Sequence, residues 1–115
     1  MTEVEETQRL LCASLGVAPM FPEETFKIGI SEGALNDGGP LNGLRHPPDD
    51  GTTGWFIWSG SNLAEEPGFF KPLHLYHLPE MCSAILPYLA LPPGWRFLIA
   101  DNHEDVWFDA TLLTT

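Results

Sequence analysis

Three of the chain's four histidines lie in two proline-bounded segments, the Arg45-His46 loop and Pro72-Leu73-His74-Leu75-Tyr76-His77. Imidazole is the commonest metal ligand, so these segments set the first chemical question. His74 and His77 stand three apart with Glu80 three further on, a spacing that gathers three ligands on one face if the segment is a helix. Pro72 and the Leu73/Leu75 alternation instead favour an extended run up to Tyr76, which turns the two histidines to different faces. A metal site also needs a convergent third ligand, and the sequence does not show one. A small metal- or ligand-binding domain using His74, His77 and the Arg45-His46 loop is therefore the alternative reading, and no cofactor is expected.

Catalytic patterns are missing from the sequence. There is no GxSxG, no Walker-type glycine loop and no GxGxxG, and the glycines of "NDGGPLNG" do not join a strand to a helix N-terminus. Neither Cys12 nor Cys82 has CxxC or metal spacing, and neither has neighbouring positive charge to lower its pKa. The acidic pairs Asp49-Asp50 and Glu65-Glu66 fall in loops, where solvated charge is the default. The sequence predicts no enzyme.

Recognition is the chemistry that remains. In "GWRFLIADNHEDVWFDA", residues 94 to 110, two aromatic strands flank the acidic loop Asp101-Asn102-His103-Glu104. A four-residue loop puts Ala100 opposite Asp105, Leu98 opposite Trp107 and Arg96 opposite Asp109. Trp95, Phe97, Ile99, Val106, Phe108 and Ala110 then share one wholly apolar face, which must pack on the core. The other face is mixed. On it Trp107 is either covered by the N-terminal helix or left as an aromatic anchor among carboxylates, and tryptophan is enriched at binding hot spots.

The elements that must position these residues are short. Thr2 to Leu15 reads as an amphipathic helix, with Thr2 as N-cap, Glu3, Glu5 and Glu6 at the positive dipole end, and Val4, Leu10, Leu11 and Leu15 as the apolar stripe. "TFKIGI" alternates as a half-buried strand. "GWFIWSG" carries Trp55 and Ile57 on one face and Phe56 and Trp58 on the other, the pattern of a central strand covered on both sides. Residues 31 to 53 hold five glycines and three prolines and read as one long loop, either an ordered binding loop or a surface excursion. Pro79 opens a second helix that Pro87 should kink or end near Leu86. The expected fold is a single α+β domain over 1–115, with an N-terminal helix and connector over 1–20 and a core over 25–112. A small, mostly antiparallel sheet of about four strands packs there with two helices.

Five basic against sixteen acidic side chains give a formal charge of −11. That field repels nucleic acid and anionic lipid and favours a partner with a basic surface. The acidic start "MTEVEETQRLLCASLG" is unlike a signal peptide, and no stretch is long and apolar enough to span a membrane, so a cytoplasmic location is expected.

Several strings taken together, "NGLRHPP", "GWFIWSG", "FFKPLHLYHL", "YLALPPGWRFLIA" and "EDVWFD", resemble in that order a family of small bacterial immunity proteins. The resemblance runs over about residues 25 to 112 and implies a non-catalytic module that binds and neutralises a polymorphic toxin or secretion-system effector. The partner-binding candidates are Trp107 and Trp58 as anchors, with Asp101, Glu104, Asp105, Asp49 and Asp50 as an acidic rim.

Overall fold

The computed structural model describes residues 3–31, 34, 40–49, 51–60, 70–81, 83–101 and 103–113. Thr2, Asp50, Glu65, Glu66 and Cys82, the Glu80 side chain and most of 32–39 lie outside the described residues. A helix α1 (Glu3–Ser14) precedes six strands: β1 (Lys27–Ser31), β2 (Leu41–Arg45), β3 (Thr52–Ser59), β4 (Phe70–His74), β5 (Trp95–Ala100) and β6 (His103–Phe108). A short helix α2 (Leu78–Met81) and 3₁₀ turns at Leu75–His77 and Ser83–Tyr88 connect β4 to β5, and a third turn follows at Ala110–Leu113. The strands form one sheet in the order β4-β1-β3-β2-β5-β6. Only β1 and β3 run parallel among neighbouring pairs.

The fold is α+β as expected, but among the described residues the sheet has six strands rather than about four. The strand that sequence reasoning missed is β2, inside the stretch read as one long loop, and it sits centrally between β3 and β5. Its period-two signal is concealed because Leu41, Gly43 and Arg45 share its core-facing side, so two of the three core positions are not apolar side chains. Gly43 is required there by close approach. A Cβ built on it would lie 2.2 Å from the Phe97 ring, so the phenyl ring fills the space that a side chain would take.

Arg45 is buried at 1% exposure and serves as a core residue. Its Nε donates to the Thr53 carbonyl at 3.0 Å, and Nη1 donates to the Met20 and Leu91 carbonyls at 2.8 and 2.9 Å and, more distantly, to that of Leu89 at 3.3 Å. The guanidinium also lies 5.7 Å from the Trp55 ring centroid. Burial pulls its pKa down to about 10, yet the group stays charged at neutral pH. One cation thus donates to carbonyls of Thr53 in β3, Met20 after α1 and Leu91 before β5, groups that are costly to bury without a donor, while the Leu89 carbonyl also accepts from the Trp55 indole at 3.0 Å.

The central strand β3 is covered on both faces, as its sequence predicts. On the inner face Trp55 and Ile57 are fully buried in the main core with Ile28, Ile30 and Phe97, under α1 and the Ser83–Tyr88 turn. On the outer face Trp58 joins Leu44 and Leu112, flanked by Phe56 and Phe70. The helix α1 buries Gln8 and Cys12; of the expected stripe, Leu11 and Leu15 pack against the main core, while Val4 and Leu10 are exposed. Polar contacts decide this rotation: Gln8 Nε2 donates to the Leu86 carbonyl at 2.8 Å, and the Cys12 thiol faces the Ala90 carbonyl at 3.6 Å. Burial pushes the Cys12 thiol pKa up. Pro87 does not stop the chain at Leu86. It lies inside the 3₁₀ segment Ser83–Tyr88, after α2 has already ended at Met81.

Candidate functional site

The hairpin β5–β6 pairs Ala100 with His103, Leu98 with Asp105, Arg96 with Trp107 and Trp95 with Phe108. The expected register was two residues out, because β6 already begins at His103, which pairs with Ala100 where Asp105 was expected. A slip of two preserves the faces. It moves Glu104 out of the loop and onto the inner face beside Val106, and it makes the Arg96–Asp109 pair diagonal rather than directly opposite. Trp95, Phe97, Ile99 and Val106 pack into the main core. Phe108 does not: it is 49% exposed, with its ring over the bare α-carbon of Gly94 and 5.7 Å from the Trp95 ring. Ala110 is exposed as well.

On the outer face two rows cross the sheet, Phe56–Leu44–Arg96–Trp107 and Trp58–Asn42–Leu98–Asp105. Their β3 and β2 ends are closed by the second cluster around Leu112. Their β5 and β6 ends are open. Trp107 is 39% exposed, and the Arg96 guanidinium lies 5.4 Å from its ring centroid. The same Arg96 donates to Asp109 at 3.2 Å, so one cation orients both an aromatic face and a carboxylate. Hydrogen bonds from the Thr111 hydroxyl and amide, and then Arg96, hold the Asp109 carboxyl below its ordinary range despite some desolvation. Toward the hairpin tip, His103 Nε2 and Asp105 lie 2.8 Å apart, both more than half exposed, and Asp101 is exposed in the turn.

The structure therefore brings together Trp107, Asp105 and Asp101, with Arg96, His103 and Asp109 beside them. It removes Trp58 from the anchor set, since that side chain is 4% exposed inside the second cluster. Glu104 stands on the other face, where it accepts a hydrogen bond from the Tyr88 hydroxyl. Tyr88 is buried against Phe97, with ring centroids 4.7 Å apart, and burial followed by the adjacent Glu104 carboxylate pushes its phenol pKa up. Asp49 lies at the opposite end of the sheet, in the β2–β3 connection, where its carbonyl accepts from Thr52.

His74 and His77 lie with ring centroids 6.4 Å apart around an exposed Tyr76, which stacks on His74 and packs against His77. Among the described residues no group of three His, Cys, Asp or Glu side chains converges. Arg45, the other member of the alternative ligand set, faces the core, and His46 Nδ1 is 3.2 Å from the Leu112 carbonyl. Of the residues around Trp107, the pairing of Arg96 with the indole went unread; the signal was the favoured two-residue loop. Among the described residues no helix is long and apolar enough to cross a membrane.

Comparison with known proteins gives one result of consequence. The family model of the Imm33-like domain matches residues 7–109, a span that starts inside α1 and contains all six strands. No curated protein and no solved structure matches the chain. With the helix, the whole sheet and the open hairpin face inside that match, the chain belongs to the Imm33-like domain family, an immunity-protein-like family.

Proposed function

We propose that this chain is an immunity protein that neutralises a cognate bacterial toxin in the cytoplasm by binding it, without catalysis. The observation that carries the reading is the exposure of Trp107 on the open half of the outer face. A large aromatic left in water is the kind of residue that dominates interface energetics. Here it is held in place by Arg96 beneath it and framed by Asp105 and Asp109. Asp101 and Asp105 supply the rim, and the net charge of −11 suits a toxin whose contacting surface is basic, since complementary charge speeds encounter and disfavours wrong partners. Asp49, at the far end of the sheet, stands apart from this surface.

Immunity genes ordinarily lie beside their toxin genes, so the test is co-expression with the neighbouring open reading frame. Growth should be restored, and the two chains should elute as one complex. Persistent toxicity with no complex on mixing would remove the proposal.

A further inference from the structure

The two edges of the sheet are built differently. On β4, Leu75 N–H donates to the Phe26 carbonyl at 2.9 Å. The antiparallel pairs one step in, Leu73 with Ile28 and Lys71 with Ile30, therefore carry the bonds to β1. The backbone of Phe70, Pro72 and His74 then points outward. The central position of that edge is a proline, which has no N–H to offer a further strand.

On β6, Asp109 N–H donates to the Gly94 carbonyl at 2.7 Å. By the same alternation, Arg96–Trp107, Leu98–Asp105 and Ala100–His103 carry the bonds between β5 and β6. The N–H and C=O groups of Glu104, Val106 and Phe108 face away from β5. All three residues keep their amides, and no strand lies beyond β6 in the sheet order among the described residues. Every β6 residue except Val106 is exposed. The edge is also free of the lysines and prolines that commonly block strand addition.

We infer that β6 is a docking edge onto which an extended segment of the protein partner adds as a seventh strand. The inference rests on the reading of this chain as a toxin-binding protein. Side-chain order along β6 gives the chemistry of that segment. Glu104 on the inner face and Asp105 on the outer face, with Asp101 beyond them, make the hairpin end acidic; Val106, Trp107 and Phe108 make the other end apolar. A complementary strand carries lysine or arginine at consecutive positions against Glu104 and Asp105, and apolar residues against the aromatic end. Such strand addition takes affinity from main-chain bonds and specificity from alternate side chains. A second copy of this chain is disfavoured as the occupant, because antiparallel addition would set its carboxylates against Trp107 and Phe108 and its aromatic end against Glu104 and Asp105.

Backbone amide exchange of the full chain, read residue by residue, tests this with two probes: the neighbouring toxin, and the octapeptide VTVTKRKT, apolar first and basic last to match β6 in antiparallel addition. The Glu104, Val106 and Phe108 amides should exchange freely in the chain alone and slow by at least about tenfold with either probe, as expected when exposed amides enter a ladder. Slowing with neither probe overturns the inference. A toxin complex that leaves these amides fast overturns it while sparing the toxin-binding reading. Slowing by the peptide without any toxin complex does the reverse. Val106→Pro, which copies the Pro72 arrangement onto this edge, should weaken toxin binding by at least about tenfold, the loss expected for one interfacial hydrogen bond. Val106→Ala, which keeps the amide, should stay within roughly threefold of wild type. Equal losses in the two variants would count against the backbone mechanism.

Discussion

Trp58 and Trp107 are the same side chain in opposite surroundings, so their substitutions should have different consequences. Trp58 is closed into the second cluster and Trp107 is open above Arg96. Trp107→Ala should therefore weaken toxin binding by about 2 kcal/mol, roughly thirtyfold in Kd, and leave the melting temperature nearly unchanged. Trp58→Ala should instead cost about 3–5 kcal/mol of stability. Calorimetric titration beside thermal melts separates the two, and a destabilised Trp107→Ala would reassign that residue to the scaffold. Tyr88 gives a prediction in pH. Its phenol is pushed up in the folded chain, so the folded state holds the proton more tightly than the unfolded state does. The associated stability is complete below a tyrosine's ordinary value of about 10 and is lost as pH rises above it. Tyr88→Phe should flatten the loss of stability from about pH 10 upward in denaturant melts; an unchanged slope would mean that other groups govern it.

Among the elements, the hairpin was the most legible and β2 the least. The alternation of Trp95, Phe97 and Ile99 against polar neighbours fixes which face is buried whatever the loop length, so a register two residues out still assigned Trp95 to the core and Trp107 to the mixed face. Such a signal was missing from β2, where Gly43 and Arg45 hold core positions that apolar side chains usually fill. Arg45 also ties elements that lie far apart in sequence, Met20 before β1, Thr53 in β3, and Leu89 and Leu91 before β5. Arg45→Met keeps much of the volume but removes the guanidinium donor from the Met20, Thr53 and Leu91 carbonyls, while that of Leu89 keeps the Trp55 indole. It should destabilise the chain by on the order of 3 kcal/mol, measured as a shift in the urea midpoint at constant slope. A midpoint close to wild type would show that water replaces the guanidinium there.

At the scale of the whole molecule, sixteen carboxylates against five basic groups should give the proposed association with a basic partner a long-range electrostatic component. The double variant Asp101→Lys with Asp105→Lys should slow the association rate constant several-fold at about 20 mM salt and much less near 0.5 M, where the Debye length has shrunk to a few ångströms. Stopped-flow mixing with the toxin checks this, and a rate insensitive to both charge and salt would place the rim elsewhere. Composition determined the net charge, because summed charge requires no geometry. Local periodicity determined the α+β class, the central character of β3 and the buried side of the hairpin, because burial on one face writes a period into the sequence. Tertiary structure alone decided which tryptophan meets water, that Arg45 is a core residue and that Glu104 serves Tyr88, since each depends on which distant segment arrives opposite. For "GWRFLIADNHEDVWFDA" the sequence separated two faces, and only the packing of the sheet left one of them, with its edge, open.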